Sequence, residues 1–136
     1  MIKTILHQKA FALVIAAILL LSLSSVSWQS KSDDQLTNTK WKGIAFVPNP
    51  REVVFHFKKD TLLITIDLDI IETEYCHVSG DTLTMKKISG GSPCTDEVGT
   101  YKYIIKKDSL TITSLRDECG ARMDSFSSEG YKRVKN

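Results

Sequence analysis

From Trp41 onward, apolar and polar residues alternate with a period of two. Val53, Phe55 and Phe57 share one face of one segment, and Leu62, Ile64, Ile66 and Leu68 share one face of the next. Leu83 with Met85, Tyr101 with Tyr103 and Ile105, and Leu110 with Ile112 continue the rhythm, mostly with Lys, Thr, Asp or Glu between them. Alternation of this kind describes strands with one buried face and one wet face. No window places apolar residues at i, i+3, i+4 and i+7, so no long amphipathic helix is expected. The candidate strands are 41–47, 52–58, 61–67, 72–78, 82–87, 100–106, 109–115, 122–126 and 131–134.

The turns agree with this pattern. Asp60-Thr61-Leu62, Asp81-Thr82-Leu83 and Asp108-Ser109-Leu110 each set an acid and a hydroxyl residue before the first inward leucine. An aspartate can hydrogen-bond its own backbone in a tight turn, and the Thr or Ser then opens a strand. Hairpins in succession imply a meander, with sequence neighbours adjacent in space. A flat meander leaves two long open edges, which closure removes. The expected fold is therefore all-β: a small antiparallel up-and-down barrel of about eight strands, with an open sandwich as the second choice.

The chain has 136 residues, enough for one domain. Its start reads as targeting. Lys3 and Lys9 precede the apolar run 11–23, and Ser25-Val26-Ser27 supplies a small-x-small cleavage site. The run is shorter than the roughly 20 apolar residues of a spanning helix. Residues 1–27 are expected to be a cleaved signal peptide, with retention as an anchor the alternative. Residues 28–39 form a polar lead-in, and the domain occupies 40–136. The protein is then exported, to the periplasm or outside the cell, and does not insert into the membrane after cleavage.

Cleavage removes two of the 18 Lys and Arg residues and none of the 16 acids, leaving the mature chain formally neutral. A neutral domain with interspersed charges has no electrostatic footprint for nucleic acid. Export also makes a disulfide expected. Cys94 and Cys119 lie in turn-rich segments and form the favoured pair; Cys76–Cys94 is the competing pair. Cys76, in a strand-like stretch, otherwise reads as a small buried apolar residue.

The final third carries a resemblance. Trp41-Lys42-Gly43 opens the first strand, and Cys94, Gly99-Thr100-Tyr101, Asp108-Ser109-Leu110-Thr111-Ile112 and Asp117-Glu118-Cys119-Gly120-Ala121-Arg122 follow. Residues 40–134 resemble the small lipocalin-like (calycin-like) barrel domains of exported bacterial proteins. The resemblance implies a Trp on the first strand beneath a late Arg, closing one barrel end. Those positions are Trp41 and Arg122, whose contact would be a cation–π pair.

Enzymatic motifs are absent: no Gly-x-Ser-x-Gly, phosphate-cradling loop, Cys-x-x-Cys or His-Glu-x-x-His occurs. No catalytic residue and no cofactor is expected. His56 alternates away from the Phe55 face. Cys76 and His77 are strand neighbours pointing to opposite faces. Glu74 and Cys76 do share a face, but zinc needs three or four convergent ligands, so no metal site is expected. Asp67, Asp69, Glu72 and Glu74 read as a solvated acidic run that protects an edge. Asp117 and Arg122 pair, either as scaffolding beside the disulfide or as a polar anchor at the barrel mouth.

The inward face is bulky. Phe55, Phe57, Ile64, Met85, Tyr101 and Tyr103 are the candidate ligand-binding residues if the barrel is hollow. The expected function is then a non-catalytic binding module that holds a small hydrophobic or amphipathic ligand. If those residues fill the interior instead, the chain is a filled-barrel envelope protein that acts on a protein partner, as an inhibitor or a structural element.

Overall fold

The structure, a computed structural model, describes residues 34–135. Residues 1–27, expected to be a signal peptide, and the first part of the expected lead-in lie outside the described residues. Eight strands form an antiparallel barrel closed in chain order. They are β1 (Thr39–Phe46), β2 (Pro50–Phe57), β3 (Thr61–Ile66), β4 (Asp69–Ser79), β5 (Thr82–Gly90), β6 (Val98–Lys106), β7 (Ser109–Arg116) and β8 (Tyr131–Arg133). One short helix, α1 (Gly120–Met123), interrupts the connection from β7 to β8. Closure is made by β8 against β1, where Trp41 faces Arg133 and Lys42 faces Lys132. The all-β, up-and-down barrel expected from the alternation is the fold observed.

Successive connections of an up-and-down barrel alternate between its two ends, and here the ends differ. The three Asp-hydroxyl-Leu hairpins join β2 to β3, β4 to β5 and β6 to β7, so all three stand at one end. Their shared aspartate works through its backbone. The carbonyls of Asp60, Asp81 and Asp108 accept the N–H groups of Cys76, Tyr103 and Arg133 at 3.0, 2.9 and 2.9 Å. Each hairpin thus ties down the strand that follows it. The lead-in reinforces the same end: Leu36 is fully buried in the core, although its neighbours are polar. The two long connections, residues 91–97 and 117–130, lie at the other end.

The inward positions fill the hairpin end and the middle of the barrel. Trp41, Phe55, Phe57, Leu62, Leu83, Met85, Tyr101, Leu110 and Tyr131 are all buried there. Phe55 packs against Tyr131 at 4.6 Å between ring centroids and against Phe126 at 5.9 Å, and Phe126 meets Tyr101 at 5.0 Å. Cys76 is buried and free, as its strand position implied.

Three expectations about local structure change. Residues 122–126 do not form a strand; they span the end of α1 and a turn, and only Phe126 bridges to Ala45. Leu68 does not continue the inward row of β3. It sits at φ 77° in the turn after Ile66 and is 96% exposed. Glu72 and Glu74 are not a solvated edge. At 6% and 2% exposure they point into the barrel, because the alternation that buries Cys76 carries two and four residues back to them.

Candidate functional site

At the end carrying the long connections, the core stops short and leaves a cavity of about 480 Å³. Its walls are apolar: Ile64 and Ile66 from β3, Ile71 from β4, and Val47 and Pro48 from the turn after β1. Phe46, 45% exposed, stands at the rim. The floor is polar, and its members are Glu72, Glu74 and Arg122, with Ser92 and Ser125 beside them. A loop-built end on a rigid barrel is where binding groups concentrate.

Each floor residue has an identifiable support. Arg122, only 5% exposed, comes from α1. Its Nε donates to Asp117 Oδ2 at 2.7 Å and its Nη2 to Asp117 Oδ1 at 2.9 Å, a bidentate pair. Nη2 also donates to the Glu97 carbonyl at 2.8 Å, and Nη1 to Glu74 Oε2 at 3.3 Å. Asp117 further accepts from the Cys119 N–H at 2.8 Å and from the Tyr101 hydroxyl. Tyr101 therefore marks the boundary, with its ring in the packed core and its hydroxyl in the polar floor. Gly99 makes room for this arrangement: a Cβ there would lie 2.3 Å from Asp117 Oδ2 and 2.6 Å from the Tyr101 ring.

Glu72 is tied to the loop above it. Its Oε1 accepts from the Ser92 hydroxyl at 2.5 Å and its Oε2 from the Ser92 N–H at 3.1 Å. Lys87 Nζ stands 3.9 Å from Glu72 Oε1 and donates to the Ser92 carbonyl at 2.5 Å. Gly90, at φ 133°, passes so close that a Cβ would meet Glu72 Oε2 at 2.1 Å. Glu74 is less well served. Arg122 reaches its Oε2, and its Oε1 accepts no hydrogen bond from the described residues.

Titration follows this inventory. Burial raises the Glu74 carboxyl to about 7; Arg122 opposes the rise, while the neighbouring charges of Glu72 and Asp117 add to it. Burial alone would raise Asp117 too, but its bonds from Arg122, Tyr101 and the Cys119 N–H outweigh that and hold it below the usual range. The Tyr101 hydroxyl is pushed up by burial and by its bond to Asp117. For Arg122, burial works against the charge, yet its carboxylate and tyrosine partners raise it further above its ordinary value.

The disulfide frames the mouth. Cys94, in loop 91–97, is bonded to Cys119, which precedes α1. The expected pairing is the observed one, and a disulfide fits an oxidising, exported environment. It links the two connections that overhang the cavity.

The six residues expected on the ligand face separate. Ile64 lines the cavity, whereas Phe55, Phe57, Met85, Tyr101 and Tyr103 are packed in the core. Asp117 and Arg122 do pair, at the mouth end. The Trp41–Arg122 contact is not formed. Arg122 sits on α1 among carboxylates, while Arg133, the cross-strand partner of Trp41, lies 4.2 Å above the indole ring. The cation–π closure exists with Arg133 in that role. No group of metal-ligating side chains converges among the described residues. Glu72 and Glu74 are the floor residues that sequence reasoning missed, although their two-residue spacing from Cys76 carried the signal.

No protein family, curated protein or solved structure matches this chain.

Proposed function

We propose that the protein is an exported, non-catalytic binding module, a lipocalin-like barrel that holds a small amphipathic ligand in its loop-end cavity. The supporting observation is the division of the interior into a packed half and a cavity with apolar walls over a charged floor. A volume of about 480 Å³ falls within the roughly 300–1,000 Å³ typical of small-molecule sites. The apolar walls suit a hydrocarbon body, and the Glu74–Arg122 floor suits a polar end. Catalysis gains no support from the carboxylate pair. Glu72 spends both oxygens on Ser92, so it offers no free base or nucleophile beside Glu74.

Native mass spectrometry of the protein purified without detergent tests this reading, with Ala121→Trp as the comparison. Ala121 is exposed at the cavity mouth, so the indole blocks access without disturbing the packed core. Bound mass on the unaltered protein that Ala121→Trp abolishes is the expected result. Failure of decylamine, decanol and decanoic acid alike to bind the unaltered protein at any soluble concentration would exclude the cavity as a ligand site.

A further inference from the structure

We propose that the polar end of the ligand is an ammonium group seated against the Glu74 carboxylate at the cavity floor. This rests on the binding reading above and specifies the chemistry of that site.

The charges around the floor leave Glu74 as the group still open to a partner. Arg122 faces it from α1 but is already matched by Asp117, which takes two of its N–H groups. Lys87 is the cross-strand partner of Glu74 on β5, but its Nζ turns to the Ser92 carbonyl and to Glu72, which Ser92 also engages. From β3 the neighbours are Leu62 and Ile64, which bring no charge. From β6 the Tyr101 hydroxyl is committed to Asp117. Arg51 of β2 lies at the rim and is exposed, so solvent screens it from the floor. Glu74 itself is 2% exposed, lines the cavity, and keeps Oε1 open.

A buried carboxyl in this position favours a cationic head for two reasons. An ammonium donates up to three hydrogen bonds and neutralises the charge that burial disfavours. A carboxylate head would instead meet Glu72 and Glu74 at the floor, with the Arg122 charge already offset by Asp117. Glu74 is partly protonated at neutral pH, with its carboxyl at about 7. An arriving ammonium keeps its own proton, since an aliphatic amine titrates near 10. The Glu74 proton therefore leaves to solvent, and binding is linked to pH.

The test uses three probes of one chain length, decylamine, decanol and decanoic acid, against the protein with its disulfide formed. With Glu74 at about 7, decylamine affinity should rise roughly 25-fold from pH 5.5 to pH 7.5. At pH 6.5, calorimetry in two buffers of different ionisation enthalpy should show roughly three-quarters of a proton released per amine bound. Decanol should bind without that pH dependence, and decanoic acid at least tenfold more weakly than decylamine at pH 7.5. Glu74→Gln should remove both the pH slope and the amine preference, so that decylamine binds no more tightly than decanol. Decanoic acid binding as tightly as the amine, or amine binding with no proton release by the unaltered protein, overturns the ammonium assignment while the cavity reading stands. Failure of all three probes overturns both. The proton measurement needs no variant, so the assignment remains testable even if Glu74→Gln folds poorly.

Discussion

Glu74→Gln should make the protein more stable at slightly alkaline pH. The folded carboxyl lies at about 7, against an ordinary value of 4.5. Between those values the folded state binds more protons than the unfolded state, so stability falls as pH rises. The contribution is fully present below about 4.5 and is lost as pH climbs through about 7. Over that interval the loss approaches ~3 kcal/mol. Glutamine keeps an oxygen to accept from Arg122 Nη1 and carries no titrating proton. The variant should therefore match the unaltered protein near pH 4 and exceed it by up to ~3 kcal/mol at pH 8. With a urea m-value of about 1.5 kcal/mol/M, the midpoint difference at pH 8 is about 2 M. Urea melts followed by circular dichroism from pH 4 to 8 give the measurement, provided m is unchanged. Equal midpoints across that range, or unaltered protein that gains stability from pH 5 to 7.5, would show that burial does not raise the Glu74 carboxyl.

Other perturbations probe the rest of the barrel. Asp117→Ala strands the Arg122 guanidinium in the floor and leaves the Tyr101 hydroxyl without its acceptor, so unfolding free energy should drop by about 3–5 kcal/mol. A loss under 1 kcal/mol in chemical denaturation would contradict the buried pair. Phe55→Ala should cost about 3–5 kcal/mol, because Phe55 packs against Phe57, Phe126 and Tyr131. Its effect on decanol affinity, measured where the variant is fully folded, should be under twofold. Replacing Cys94 and Cys119 together with Ser removes a crosslink across 25 residues of chain, and stability should fall by about 3 kcal/mol. A thermal melt unchanged by the replacement would show that the crosslink adds nothing to the fold.

Much of the barrel is legible in the chain because its signals are local. The alternation of Val53, Phe55 and Phe57 and the three Asp-hydroxyl-Leu turns give strands, faces and hairpins together, and closure follows from the cost of open edges. The site is less legible because it depends on where the core stops. Phe55 and Ile64 look alike in sequence, both large, apolar and inward. The two even pair across β2 and β3; Phe57, Phe126 and Tyr131 cover Phe55, whereas Ile64 is paired on its other side with Glu72 and borders the cavity. The acids misled for a related reason: Glu72 and Glu74 follow Asp67 and Asp69 in one acidic stretch, and composition outweighed the period. The lipocalin-like resemblance implies Arg122 on a late strand, with Trp41 beneath it. The α1 turn, set by the Cys119 carbonyl accepting the Arg122 and Met123 N–H groups, delivers it to the opposite end. Arg133 takes the place over the indole through the β1–β8 register.

The central claim, that this barrel is packed at one end and receives a ligand at the other, is tested most directly by following backbone and methyl resonances during a decanol titration. Saturable shifts are expected at Ile64, Ile66, Ile71, Glu74 and Ala121, with Leu36, Leu83 and Leu110 at the hairpin end unmoved. Shifts centred on the hairpin end, or no saturable shift at the cavity residues, would contradict that claim.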